Sequence, residues 1–305
     1  MISHLAICYL FLGGAGGGGL FLLSLFELLG STDYDLPQQR RACRDLCGRA
    51  SVICLLFLAA GVTCLWFDLG RSGNIGALLA SPQIMPMTVG ALFLAVALLC
   101  AVALSCMHLL DNLHVPVLAR QVLCGAGVLS GLVTVAYTGF LLGSCSAVAA
   151  WQNPLLIAVF VLSSLSGGHA LLLAAAALCQ PAPFVERFAR VLQGRDTVVV
   201  LAEGVVLFVL VIMLQGSPYC TQGAWALLAG DLGVPFWALT VAVGLVAPLV
   251  LERAGRTDPA WLLAIALCVL IGAAALRWCL VSLAQYDPSA IYAVSQYDLT
   301  AVIPQ

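Results

Sequence analysis

Eight stretches of this chain stay apolar for about 20 residues each, the length a helix needs to cross the hydrocarbon core of a bilayer. In hydrocarbon the backbone polar groups find no water, so a segment of this kind must satisfy them within its own helix. The stretches lie at 2–29, 48–67, 86–110, 121–143, 154–179, 197–216, 234–252 and 260–282. They recur along the whole chain of 305 residues, and their length excludes an unusually apolar soluble protein. Composition agrees: 9% of residues are charged, whereas a soluble domain carries about 25%. The chain therefore reads as an all-α integral membrane protein with eight transmembrane helices. The net charge of −2 says little about partners, and no basic tract suggests nucleic acid. The first apolar run continues to Leu29 with no basic flank before it and no small-residue cleavage site, so it reads as a helix and not as a cleaved signal.

Prolines and arginines order these spans. Pro86, Pro154 and Pro235 fall in first turns, where a missing N–H costs nothing. Pro248 lies inside the seventh span and should end or kink it. All basic residues are arginine, and ten of the twelve follow the first, third, fifth and seventh spans: Arg40, Arg41, Arg44, Arg49, Arg120, Arg187, Arg190, Arg195, Arg253 and Arg256. Only Arg71 and Arg277 are assigned to the other side. The positive-inside bias then places the arginine loops in the cytoplasm and both termini outside.

A shift of 149 residues lays the first span on the fifth, the second on the sixth and the third on the seventh. Under it Gly18-Gly19 falls on Gly167-Gly168, Ala77-Leu78-Leu79-Ala80 on Ala226-Leu227-Leu228-Ala229, and Pro86 on Pro235. The shared offset predicts two parallel four-helix bundles, 1–143 and 144–284, followed by an extracytoplasmic tail, 285–305, in which Gln-Tyr-Asp occurs twice. The first span carries Gly13-Gly14-Ala15-Gly16-Gly17-Gly18-Gly19. Each glycine costs a helix about 1 kcal/mol relative to alanine, so the run needs a reason. Close helix approach along Gly13/Gly17 and Gly14/Gly18 is one; a bare face left for a flat ligand is the other.

Ionisable and polar residues at membrane depth are expensive to bury and mark candidate function. Asp68 and Arg71 follow the second span and can pair at the membrane boundary. Tyr137 lies six residues before the end of the fourth span, about 9 Å below the surface at the helical rise. It suits either an interfacial aromatic belt or a hydrogen bond to a carbonyl in a cavity. Tyr9 is at similar depth and His4 nearer the surface. His169 and Glu203 lie in the inner half, as proton-relay positions or as groups bonded to neighbouring helices. Glu27 and His108 fall near the cytoplasmic ends, where water is expected to reach them. Most of the 13 cysteines stand singly in apolar helix, where they behave as small hydrophobes. Without C-x-x-C or C-x-x-C-H, neither an iron–sulfur cluster nor a c-type haem is signalled in this chain. Cys43 and Cys47, four apart beside a membrane surface, are loop residues or a metal site. The four histidines offer no central pair at matched depth, so a b-type haem is not expected.

Taken in order, several fragments resemble the NrfD/polysulphide reductase membrane-subunit family. They are Tyr9-Leu10-Phe11-Leu12-Gly13-Gly14, Asp68-Leu69-Gly70-Arg71, Ser81-Pro82 to Pro86-Met87, Tyr137-Thr138-Gly139, and Trp151-x-x-Pro154 leading to Ser164-x-x-Gly167-Gly168. Ser72 stands where the family usually has proline, and the loop at 81–87 is reduced. The resemblance implies a haem-free anchor of a respiratory complex in a prokaryotic cytoplasmic membrane. It implies a menaquinone or ubiquinone site within the first four helices, near the extracytoplasmic face. It also implies a docked ferredoxin-like subunit with [4Fe-4S] clusters and, beyond it, a molybdopterin or other catalytic subunit. Tyr137 is then the first choice for a quinone carbonyl partner, with Tyr9 and His4 behind it. Asp68 would handle protons and Arg71 orient the site. A proton route would run through Asp68, His169 and Glu203. A secondary transporter and a passive anchor are the competing readings.

Overall fold

The computed structural model describes residues 4–30, 37–68, 86–110, 115–145, 148–217 and 220–286. Arg71, the loop at 81–85 and the tail from 287 lie outside the described residues. Everything described is helix, turn or coil, with no strand. The helices are α1 (His4–Leu29), α2 (Pro37–Asp68), α3 (Pro86–Leu109), α4 (Val117–Gly143), α5 (Pro154–Leu178), α6 (Pro183–Gly216), the short α7 (Thr221–Leu228), α8 (Ala247–Arg253) and α9 (Pro259–Ser282). A π-helical segment, Pro235–Val246, runs directly into α8, and the two make the seventh span. Eight spans are long and apolar enough to cross a membrane, as the hydropathy predicts.

Two helices begin well before their apolar stretch. α2 starts at Pro37 and α6 at Pro183, so Arg40, Arg41, Arg44, Arg49, Arg187, Arg190 and Arg195 sit on helix and not in loops. Hydropathy sees only the part that must lie in lipid. The polar turns stay helical because one face of them is still buried: Val185, Ala189, Leu192, Gln193 and Asp196 recur at helical spacing along α6. Farther along α6, Val198, Leu201, Val205, Phe208 and Ile212 form the opposite, exposed stripe, the face left for lipid. Pro248 does mark a change: the wide turns of the π segment close with Ala247 N–H donating to Ala242 O, and ordinary α-helix resumes there.

α1 packs against α2, α4 and α5, and its glycines make that possible. A Cβ on Gly18 would collide with Ser164 O, and one on Gly168 would stand 2.6 Å from Gly19 N. Gly16 lies on Leu58, Gly17 on Thr134 and Gly19 on Cys54. The bare face is therefore filled by neighbouring helices, and the expectation of space for a flat ligand along it is overturned. Gly244 and Gly272 meet backbone to backbone where the seventh span crosses α9.

The arginine-bearing ends gather at one end of the bundle. Arg44 Nε donates to His108 O at 3.2 Å, and Arg49 Nη1 donates to Leu178 O, tying the start of α2 to the ends of α3 and α5.

Candidate functional site

At the opposite end, α4 and α5 are joined by a short connection whose residues fix its shape. A single 3₁₀ turn, Ala149–Trp151, buries Trp151, whose indole Nε1 donates to Leu280 O of α9 at 3.0 Å. Asn153 then caps α5, its Oδ1 accepting from Leu155 N at 3.0 Å, with Pro154 in the first turn. The Trp-x-x-Pro fragment is thus an anchor followed by a helix start. A cleft of about 620 Å³ opens beside it, walled by Val89 of α3, Val133, Tyr137 and Phe140 of α4, and Trp151 and Ile157. Its volume is within the range of small-molecule sites, and Phe140, 56% exposed, leaves its flank open toward lipid.

Tyr137 forms the inner wall. Its ring lies directly on Gly90 of α3, where no Cβ would fit. Its hydroxyl is buried and makes no hydrogen bond of ordinary geometry among the described residues. The phenol of Tyr9, itself buried, is its neighbour, and Asp68 and Cys145 lie within electrostatic reach of Tyr9. Asp68 is the last residue of α2 and partly exposed. The structure thus brings Tyr137, Tyr9 and Asp68 together from three helices. His4 is exposed in the first turn of α1, and Arg71 falls outside the described residues. Chemically the group offers a hydroxyl with unused hydrogen-bonding capacity, an apolar slot beside it and a carboxylate within electrostatic reach of Tyr9.

His169 and Glu203 belong to a second group, in the other half of the chain. Arg277, assigned to the outer surface by the arginine count, is 1% exposed, buried between helices near the end of α9. Its Nη1 donates to Ser163 Oγ at 3.0 Å and its Nη2 to Ser164 Oγ at 2.7 Å, with the rings of Phe11 and Phe160 flanking the guanidinium. A Cβ on Gly14 would stand 2.9 Å from Nη2, so part of the glycine run makes room for this side chain. Glu203 lies within electrostatic reach of Arg277. Ser163, Ser166, Glu203 and Thr240 line a cavity of about 10 Å³, about the size of one water molecule.

Toward the arginine-rich end, His169 Nδ1 stands 3.6 Å from Asp196 Oδ1 and 2.9 Å from Leu165 O. Asp196 is wholly buried and neighbours Glu252, to which Thr197 Oγ1 donates at 2.6 Å. Gln193 Nε2 donates to Arg256 O at 3.0 Å, near the surface. The polar groups form a discontinuous column from Arg277 to Arg256, and sequence reading missed Asp196, Glu252 and Arg277 in it. Asp196 and Glu252 lie at helix ends by hydropathy and look water-exposed there. Arg277 stands five residues before the end of α9, a depth that could have identified it.

Glu27 and His108 also differ from expectation. Their side chains are 1% and 8% exposed, because α2 and α4 extend past them and shut out water. Cys47 is likewise a buried helix residue and not part of a loop.

No individually curated protein matches the chain. The family model for polysulphide reductase, NrfD, matches residues 2–288, nearly the whole length, and the chain belongs to that family, whose proteins are membrane subunits of multi-subunit redox complexes.

Proposed function

We propose that this chain is a haem-free membrane anchor that exchanges electrons between a membrane quinone and an iron–sulfur partner. The observation that carries the reading is the Tyr137 hydroxyl, buried and without an ordinary hydrogen bond among the described residues, at the wall of the lipid-open cleft. A menaquinone or ubiquinone headgroup fits such a slot, its ring against Ile157 and Val133 and its isoprenoid tail leaving past Phe140. Tyr137 Oη would hydrogen-bond one quinone oxygen, and Tyr9 would hold Tyr137 in place. His4 and Arg71 would complete the polar end.

A quinol releases two electrons and two protons when it is oxidised. Asp68, partly exposed at the end of α2, takes the protons toward water. No group in this chain is assigned to carry the electrons, so they pass to a [4Fe-4S] cluster of a ferredoxin-like subunit docked over the cleft. From there they reach a molybdopterin or other catalytic subunit. The arginine distribution supports placing this end outside the cytoplasm.

In the assembled complex, Tyr137→Phe should lower quinol-dependent turnover at least about tenfold, the effect of one strong hydrogen bond. Asp68→Asn should slow turnover. Both variants should retain the iron–sulfur subunit on purification. Full turnover in both would leave a passive anchor. Solute uptake by the purified chain alone would make it a transporter.

A further inference from the structure

At the arginine-rich end, all four helices of the first half contribute to one buried cluster that the quinone reading does not use. Glu27 comes from α1, Cys43 and Cys47 from α2, His108 from α3, and Arg120 and Cys124 from α4. One donor atom each of Glu27, Cys47 and His108 lies within 4.8 Å of the others. Glu27 Oε1 is 3.3 Å from His108 Nε2, while Arg120 Nη2 is 3.5 Å from Oε2. Cys124 Sγ stands 3.8 Å from Oε2, and Cys43 neighbours Cys47 one turn away.

The hydrogen bonding sets the polarity of this cluster. His108 Nδ1 lies 2.8 Å from Leu104 O, a carbonyl that can only accept, so Nδ1 carries a proton. A neutral imidazole then presents a lone pair at Nε2, facing Glu27 Oε1. Oε1 is buried and without a hydrogen-bond partner among the described residues. With the ring neutral, two acceptors 3.3 Å apart repel unless a cation bridges them; a second ring proton would instead make the contact an ion pair. That separation is close to the about 3.5 Å between adjacent ligand atoms of a tetrahedral zinc site with bonds of about 2.0–2.3 Å.

We propose that Glu27, Cys47 and His108 bind a borderline-soft divalent cation, zinc foremost, with Cys43 or Cys124 supplying a fourth ligand. Thiolate, imidazole and carboxylate together select zinc over magnesium or calcium, which take oxygen alone. The His108–Leu104 bond and the Arg120–Glu27 pair are the supports that such ligands usually have. With no water position required, the site is structural: it clamps the inner ends of α1 to α4, remote from the cleft.

The full chain, purified in detergent and stripped with a chelator, should bind one equivalent of cobalt with a thiolate-to-metal charge-transfer band. Zinc should displace the cobalt and raise the thermal midpoint. Cys47→Ser and His108→Gln should each weaken zinc at least about tenfold in chelator competition. Cys106→Ser, at an exposed cysteine of α3, should bind as the parent does. Where a variant fails to assemble, the parent's cobalt spectrum decides. Absence of the thiolate band, or unchanged affinity in Cys47→Ser, would overturn the site and leave a His108–Glu27–Arg120 ion cluster.

Discussion

Arg277 has the most exacting surroundings of any side chain in the protein. Burying a guanidinium is tolerable only when its donors are met and its charge is balanced. Two serine hydroxyls and Ala273 O meet the Nη groups, Glu203 lies within electrostatic reach, and the rings of Phe11 and Phe160 flank the guanidinium, while Nε is without a hydrogen bond among the described residues. Arg277→Gln should therefore destabilise the detergent-solubilised chain by about 3–5 kcal/mol, the usual penalty for stranding one member of a buried pair. Adding Glu203→Gln to that variant should restore part of the loss, and a thermal double-mutant cycle would measure the coupling. Additive losses would mean that the two side chains are independent. Arg277 was legible in the sequence as an arginine within an apolar span, but only Ser163, Ser164 and Gly14, brought in from α5 and α1, show what holds it. Tyr137 has the same history: its depth could be read from the sequence, its contact with Gly90 and Tyr9 could not.

Among the elements, α1 and α5 are the pair whose packing tolerates least. They cross at Gly18 and Gly168, within the two Gly-Gly pairs that the 149-residue shift lays on each other, Gly18-Gly19 and Gly167-Gly168. Gly168→Val would drive its side chain into the Gly18–Gly19 backbone, forcing the helices apart at a cost of at least about 1–3 kcal/mol. Its accumulation in membranes should fall accordingly. Gly194 of α6 is the contrast, an exposed mid-helix glycine with open space around its Cα. Gly194→Ala should leave function intact and stabilise by about 0.4–1 kcal/mol, checked by thermal unfolding. A string of glycines predicts close contact in general. It does not say which neighbour meets each one, because that depends on helix rotation.

For the whole molecule, the cleft and the polar column are the two features that matter together. Quinol oxidised at one face, with its protons and electrons leaving on that same side, moves no net charge across the membrane. A potential arises only if protons cross elsewhere, and the column from Arg277 through Glu203, His169, Asp196 and Glu252 supplies candidate carriers. We therefore expect quinol turnover by the complex in liposomes to generate a membrane potential. Asp196→Asn should abolish the potential while quinol oxidation continues. Turnover that leaves the potential at zero in the parent complex would remove proton coupling from the proposal.

The sequence alone determined the solvent in which this chain folds, the number of its spans and the family it resembles. Those follow from transfer energies and residue order, which need no partner to be evaluated. It also placed Tyr9 and Tyr137 at similar depth and Asp68 at the membrane boundary on the same side, and the resemblance grouped the three. Tertiary structure decided what surrounds each polar group. The extensions of α2 and α6, the burial of Glu27 and Cys47, and the pairing of Arg277 depend on which helix faces which. Hydropathy averages over a helix circumference and is blind to that angle; the angle separates a residue facing lipid or water from one in a buried site.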